Sequence, residues 1–563
     1  MEASSSVGRR KGGLITMPFI IANETLAKVA MVGLMPNMVL YLTEIYNLRL
    51  PRAANIIFFW FAASNLAPLL AAFLADSFLG RFFAIAIGSV FSFLGMVFLW
   101  ITSMIPELRP KPSQSATTSQ MAFLASSLGL TSIGAGGLSC SIAFGADQFN
   151  NKANPNNQKV LETFISWYIA SQAFACLLAL TALVYAQDHL GWKVGFGIPP
   201  GLMVLSIVSF LLASPLYVKN KPHSSLFTGF ARVIVVAFKN RELPFPPGNP
   251  AGKYHHNKGS DLLVPTNKLR FLNRACIIKN PEQDITPDGS ASNPWSLCTT
   301  EQVEELKAII KVLPLWSTNI IMTVITTQSS FRVLQAKSMD RHVTSNFQIP
   351  PGSYNAFTML FLFITVGIYD RIIIPIASKI AKRPVRISAK TRMGIGLFFG
   401  ILDLIASAII ENKRRTKAIR QGFADNPKGV VDMSAMWLLV HLSLVGIAEA
   451  FNVIAQSEFY YSEFPRTMSS IGSSLYSLGM GLGNLMASLI LSIVDGVTSR
   501  GGRQSWVGRN LNKGHYDWYF WVLAAISVVN FVYYLVCSWA YGPSARTGSV
   551  EEERSEEERN EVE

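Results

Sequence analysis

The chain has 563 residues, half of them hydrophobic and 15% charged, with a formal net charge of +14. A soluble domain carries about 25% charged residues, and a soluble chain of this length would need several packed domains joined by linkers, so the charge deficit points to lipid as the solvent. The positive excess lies in loops between apolar runs, where it fits membrane topology and anionic headgroups rather than nucleic acid.

Residues Met1 to Gly13 are Ser-rich and then basic. No short apolar core with a small-residue cleavage site follows, which argues against a removed signal peptide. Apolar runs near the bilayer-spanning length of about 20 residues then predict spans over 18–45, 53–75, 82–105, 120–144, 161–186 and 194–217. A polar stretch from 218 to 300 follows, holding Pro-rich Leu243 to Pro247, basic and His-containing Lys253 to Lys258, and turn-rich Thr286 to Gly289. At its end, Thr299 and Thr300 precede Glu301, Glu304 and Glu305, a helix-start signature. Six further spans are predicted over 306–331, 352–377, 392–411, 434–460, 470–495 and 517–541. Residues Val550 to Glu563 are mostly Glu and Arg and read as a disordered acidic tail.

Six plus six spans, split by one long charged loop, predict an all-α membrane protein of two six-helix bundles. The expected organisation is a cytosolic N-terminus over 1–17, bundles over 18–217 and 306–541, a cytosolic central loop over 218–305 and a cytosolic tail over 542–563. The central loop and Ser378 to Arg392 are basic, as cytosolic segments should be. One stretch disagrees: Lys413, Arg414, Arg415, Lys417 and Arg420 fall on the opposite side. The five cysteines form no framework, since Cys140, Cys176 and Cys537 lie in apolar segments and Cys276 and Cys298 in the polar loop, without metal-like spacing.

An ionisable group at membrane depth costs roughly 3 kcal/mol on insertion scales and tends to face a cavity or a partner. The first span carries Glu24 and Lys28, one helical turn apart in the favourable Glu-before-Lys order. They read as an internal ion pair lining a substrate path, or as a structural pair whose lysine snorkels. Glu449 stands alone in Val445 to Phe451 of the tenth span. Burial disfavours its bare charge unless a distant helix supplies a cation, and Lys28 is the candidate supplier because midplane sites form between opposite halves. Asp403 and His441 read as structural groups satisfied by neighbouring helices. His255 and His256 are neighbours on a loop expected to be flexible, with no metal set around them. Glycines at 134, 136 and 137, and at 479, 481 and 483, permit either gate bending or plain close packing.

The loop Leu74-Ala-Asp76-Ser-Phe-Leu-Gly80-Arg81 resembles the major facilitator loop in which an Asp, a Gly and an Arg clasp the ends of neighbouring helices. Together with Phe144-Gly-Ala-Asp-Gln-Phe149, Tyr369-Asp-Arg371, Leu297 to Glu305 and Leu313-Pro-Leu-Trp316, the chain resembles the plant nitrate transporter/peptide transporter family, a branch of the proton-dependent oligopeptide transporters. The opening Lys11 to Glu24 resembles the branch that includes low-affinity nitrate carriers. The resemblance implies a major facilitator fold of twelve transmembrane helices. It also implies a proton-coupling and ion-pair set of Glu24, Lys28 and Glu449, substrate contacts at Lys28, Asn65, Trp316, Gln335 and Glu449, and a conformational clasp of Asp76, Gly80 and Arg81.

Against the family pattern, Ala27 replaces the second Glu of the Glu-x-x-Glu-Arg motif, and Ser139 stands where a basic residue follows the glycines of the fourth helix. Glu24 and Lys28 can then neutralise each other, which leaves Glu449 as the remaining proton carrier. Met31, Val32 and Asn65 replace tyrosines of the peptide-carrying relatives, and no His occurs from Thr323 to Gln328. A small anion or an amphipathic carboxylate suits Lys28 and apolar walls better than a peptide. The expected function is therefore a secondary active transporter of nitrate or a small organic carboxylate, proton-coupled through Glu449, in the plasma membrane or alternatively the vacuolar membrane. The alternative is a membrane sensor that keeps the carrier fold and moves little substrate. Expected partners are the anion, protons and membrane lipid, with no cofactor, metal or nucleic acid. An enzyme is disfavoured, because Gly134 to Gly137 lacks the strand-turn-helix setting of a phosphate loop.

Overall fold

The computed structural model describes residues 12–111, 114–149, 157–219, 226–246, 253–256, 264–287, 289–385, 387–464, 468–508 and 510–542. The expected acidic tail beyond 542 and the first eleven residues lie outside this set. Among the described residues, twelve helical segments are long and apolar enough to cross a membrane. Six precede the linker, at Leu14–Leu34, Leu50–Leu79, Arg81–Met104, Thr118–Gln148, Lys159–His189 and Trp192–Leu216. Six follow it, at Thr300–Lys337, Pro351–Ala381, Ala389–Arg420, Ala435–Glu463, Ile471–Thr498 and Tyr516–Tyr541. Helices satisfy every backbone group internally, which is what lipid demands.

Three spans depart from the sequence expectation. The first ends at Leu34 rather than 45, because Pro36 lacks the N–H an uninterrupted helix needs. The chain turns there and resumes as Met38–Leu40 and a π-turn at Tyr41–Ile45. The seventh starts at Thr300, where Thr299 and Gln302 form a reciprocal cap: Gln302 N donates to Thr299 Oγ1 at 3.3 Å and Thr299 N to Gln302 Oε1 at 3.1 Å. Its helix stops at Thr326 and restarts at Ser329. The ninth runs on to Arg420, nine residues past its expected end, carrying the discordant basic run with it.

Two of the five cations in that run meet carboxylates within the fold. Arg414 and Glu411 are fully buried and paired at 2.7 Å, and Arg414 also donates to Asn512 Oδ1 at 2.8 Å. Lys417 pairs with Asp432 at 3.6 Å, and Lys413 lies 5.3 Å from the Trp437 ring centroid.

The chain clusters into two compact units. One comprises Met1–Lys221, Thr318–Ala455 and Ser477–Leu535 and holds most of the membrane-spanning helix. Within it the third and fourth spans touch backbone to backbone. A Cβ on Gly137 would lie 2.3 Å from Ala84 O and 2.6 Å from Gly88 Cα, and one on Gly134 would strike Ser92. These glycines serve close packing.

The other unit comprises Pro222–Ser317, Gln456–Tyr476 and Val536–Glu563. Its core includes Val233 and Val236 from helix Leu226–Lys239, together with Tyr254, Leu272, Cys276, Cys298 and Val303. His255, expected on a flexible loop, is instead buried here. Its ring nitrogens meet Cys298 O at 3.3 Å and Gly289 O at 3.2 Å, and its own carbonyl accepts from Thr300 N at 2.8 Å. Burial pushes the Cys276 thiol up to about 12 and that of Cys298 to about 11, so both behave as apolar packing groups.

Candidate functional site

The second span closes in a π-turn, Ala75–Leu79, and Gly80 follows at φ 78°, a conformation that favours glycine. This turn sets Arg81 at the start of the third span. Its Nε reaches Asp76 Oδ1 at 3.3 Å and its Nη1 reaches Asp147 Oδ2 at 2.9 Å. Asp147 belongs to the Phe144 to Phe149 motif, whose Gln148 also accepts from Val218 N at 2.8 Å and donates to Val218 O at 3.0 Å. Asp76, Gly80 and Arg81 thus meet at one junction, with Asp147 as a further member.

Deeper in this unit, the first span presents Glu24. Ser141, Tyr168 and Gln172, from the fourth and fifth spans, turn polar groups toward its carboxyl, and Lys28 stands within Coulombic reach. Glu24 Oε2, Ser141 Oγ and Gln172 Nε2 are shielded from solvent and lack a hydrogen-bond partner of regular geometry. Such unsatisfied buried groups are costly and mark a site able to take a polar ligand or a proton. Ala27, in the place of the second family Glu, is itself buried.

Glu449 is partly exposed on the tenth span. The charged groups that act on it are Arg332 and Asp403, not Lys28 as the sequence reading expected. Arg332 escaped that reading because the seventh span was expected to end at 331, which left it outside the membrane. The segment Ser329–Lys337 continues the span instead.

The remaining expected substrate residues are placed elsewhere. Asn65 Nδ2 donates to its own helix, at Phe61 O, 2.8 Å away. Gln335 is buried and donates to Glu411 Oε2 at 2.8 Å, joining the Arg414 network rather than the Glu24 neighbourhood. Trp316 lies in the second unit, where its Nε1 donates to Leu475 O at 2.7 Å. In that unit Lys311 meets Glu463 at 3.6 Å, and Tyr541 OH donates to the same carboxylate at 2.5 Å. An apolar groove of about 240 Å³ between the third and sixth spans is lined by residues such as Ile87, Phe91, Phe210 and Leu211 and offers an ion no charged partner.

On the side away from the Asp76–Arg81 junction, the two halves of the large unit meet. Lys337 pairs with Glu44, and Arg341 meets Asp188 at 3.6 Å. Asn55 Nδ2 donates to Ser492 Oγ at 3.0 Å and Asn55 Oδ1 accepts from Ser488 at 2.8 Å. Gly352 packs so tightly on Asn37 that a Cβ would lie 2.4 Å from Asn37 Oδ1. These contacts close that side.

A family model described as "PTR2: POT family" matches residues 82–507. Protein NRT1/ PTR FAMILY 1.2 of Arabidopsis thaliana is 53% identical over 98% of this chain and 93% of its own length. Protein NRT1/ PTR FAMILY 1.1 of the same plant is 52% identical, over 98% and 95%. Among solved structures, an auto inhibited POT family peptide transporter superposes with a TM-score of 0.69 at 20% identity, covering 93% of this chain and 96% of that one.

Proposed function

Since this chain belongs to the POT family of membrane transporters, we propose that it moves nitrate or a small organic carboxylate by alternating access, with proton coupling carried chiefly by Glu449. Lys28 supplies the positive charge for the anion, and Glu24 supplies the carboxylate that holds Lys28 between cycles. When an anion takes Lys28, Glu24 loses its counter-charge and turns to Ser141, Tyr168 and Gln172, which stand around it. The observation that carries the reading is this half-satisfied cluster: a buried carboxylate oxygen and two buried polar groups turned toward it without a hydrogen bond of regular geometry, beside a cation. A peptide would need additional groups to grip its two ends and its amides, and Met31, Val32 and Asn65 offer few. The plasma membrane is the proposed location.

Uptake into liposomes reconstituted with the full chain tests this, with nitrate, a dipeptide and a plant-hormone carboxylate offered at two pH values and with or without an imposed pH gradient. Nitrate or the carboxylate is expected to enter, and Lys28→Ala to reduce entry at least about tenfold, the loss of one charge-assisted contact of roughly 1.5–3 kcal/mol. Preferential uptake of the dipeptide overturns the substrate assignment. No uptake of any solute under either gradient favours a sensor.

A further inference from the structure

The C-terminal half of the large unit contains a group of four ionisable residues drawn from three spans, three of them buried. Arg332 of the seventh span is 4% exposed, and Asp403 of the ninth and His441 of the tenth are 0% exposed. Arg332 Nη2 lies 3.3 Å from Asp403 Oδ2, and His441 Nδ1 lies 3.5 Å from Asp403 Oδ1. Asp403 therefore stands between a cation and an imidazole, one oxygen toward each. The second contact is not a regular hydrogen bond: Asp403 Oδ1 and both ring nitrogens of His441 have no partner. Glu449 is the fourth member, eight residues or about 12 Å of helix rise beyond His441 on the same span, and Arg332 and Asp403 are the charged groups that act on it.

The charges decide what this group needs. Arg332 contributes one positive charge, while Asp403 and Glu449 contribute two negative ones. With a neutral imidazole the sum is one net negative charge at membrane depth, and uncompensated charge there is expensive. One proton restores neutrality, and two places can hold it. We propose that Arg332, Asp403, His441 and Glu449 form a single-proton site in which His441 and Glu449 share one proton. With the proton on His441, the imidazolium Nδ1–H bonds Asp403 Oδ1 and frees Arg332 to face ionised Glu449. With the proton on Glu449, His441 is neutral and Arg332 returns to Asp403. Moving the proton exchanges the partner of Arg332 without changing the total charge. This deepens the proton-carrying role of Glu449 proposed above and rests on it.

Several other titratable groups packed around these spans are already engaged, while Asp370 and Arg392 line a separate cleft against Ala450 and Phe451. Glu411 and Arg414, about two helical turns farther along the ninth span, neutralise each other. Tyr519 OH donates to Gln328 Oε1 at 3.3 Å. Tyr354 of the eighth span packs beside Leu438 and Leu442, and its charged neighbours are Arg341 and Asp340. His441 sits closer than Glu449 to the end of the tenth span at Ala435, on the closed side, so it is the earlier stop for a proton entering from there.

Infrared titration of the full chain in liposomes, with no substrate added, reads the proton directly. The carboxylic-acid signal is assigned with Glu449→Gln and the imidazolium signal with His441→Gln. Wild type is expected to take up one proton distributed over both signals. Glu449→Gln leaves Arg332 and Asp403 balanced, so proton binding at His441 should weaken about tenfold or more, equivalent to one pH unit. Asp403→Asn balances Arg332 against Glu449 and should suppress both signals, which serves as the second arm if Glu449→Gln does not fold. A histidine signal with the same midpoint in wild type, Glu449→Gln and Asp403→Asn overturns the shared site. Absence of any wild-type carboxylic-acid signal removed by Glu449→Gln overturns instead the assignment of Glu449 as a proton carrier. A chain that passes both tests and transports nothing refutes only the transport reading.

Discussion

Glu24 and Glu449 are both carboxyls at membrane depth, but their surroundings assign them different work. Glu24 has a lysine one turn away and three polar neighbours, so its counter-charge is its own. Glu449 shares its only named cation, Arg332, with Asp403, so it must give way to a proton when Arg332 turns elsewhere. We therefore expect Glu449→Gln to reduce the pH dependence of uptake more than Glu24→Gln does, measured as the ratio of initial rates at two pH values. Equal ratios in wild type and Glu449→Gln count against this. Both glutamates were legible in the sequence because a lone charge stands out in an apolar run. Arg332 was not, because polar Thr326 to Ser330 resemble the end of a helix. Only the restart of the helix at Ser329 brings Arg332 back into the span.

At the scale of elements, the extension of the ninth span past its apolar run illustrates how local composition misleads. Charged Glu411 to Arg420 reads as a loop, yet Glu411 and Arg414 pair in a fully buried setting that also engages Gln335 and Asn512. Removing one partner leaves a buried charge uncompensated, so Arg414→Ala should cost about 3–5 kcal/mol, read as a large drop in the melting temperature of the detergent-solubilised chain. His515, on the loop before the twelfth span, lies against Arg415 of the same extension. Burial and then Arg415, which lies 3.3 Å from its Nε2, hold the imidazole below its ordinary value, with Asp517 partly opposing. As pH falls below the unfolded value of about 6.5, the unfolded ring binds a proton before the folded one does. The contribution of His515 is thus complete above that pH and is lost as pH falls through it toward the folded value. His515→Gln should flatten this part of the acid-side decline in melting temperature, and an unchanged decline would assign it to other groups.

At the scale of the whole molecule, twelve spans and their order were readable from apolar runs and motif spacing, because lipid enforces length and polarity together. The contacts that close one side were not, because they join residues hundreds of positions apart, such as Asn55 with Ser488 and Ser492. Each exposed or partly exposed ion pair there is worth about 0–1 kcal/mol, weak enough to break in every cycle. Replacing Lys337 and Arg341 together by alanine should raise thiol labelling of a cysteine placed at Ser488 several-fold, and unchanged labelling would show that the apolar and glycine contacts alone seal that side.

Where Gly137 rests on Gly88, no side chain intervenes to cushion sliding. Neighbouring rods in bare contact travel together or not at all, so the third and fourth spans move as a stiff plank. Motion that opens and shuts the carrier is then left to places where a helix is already interrupted, and the turn at Thr327 and Gln328, where Gln328 N reaches back only three residues to Ile325 O, is such a joint in the seventh span.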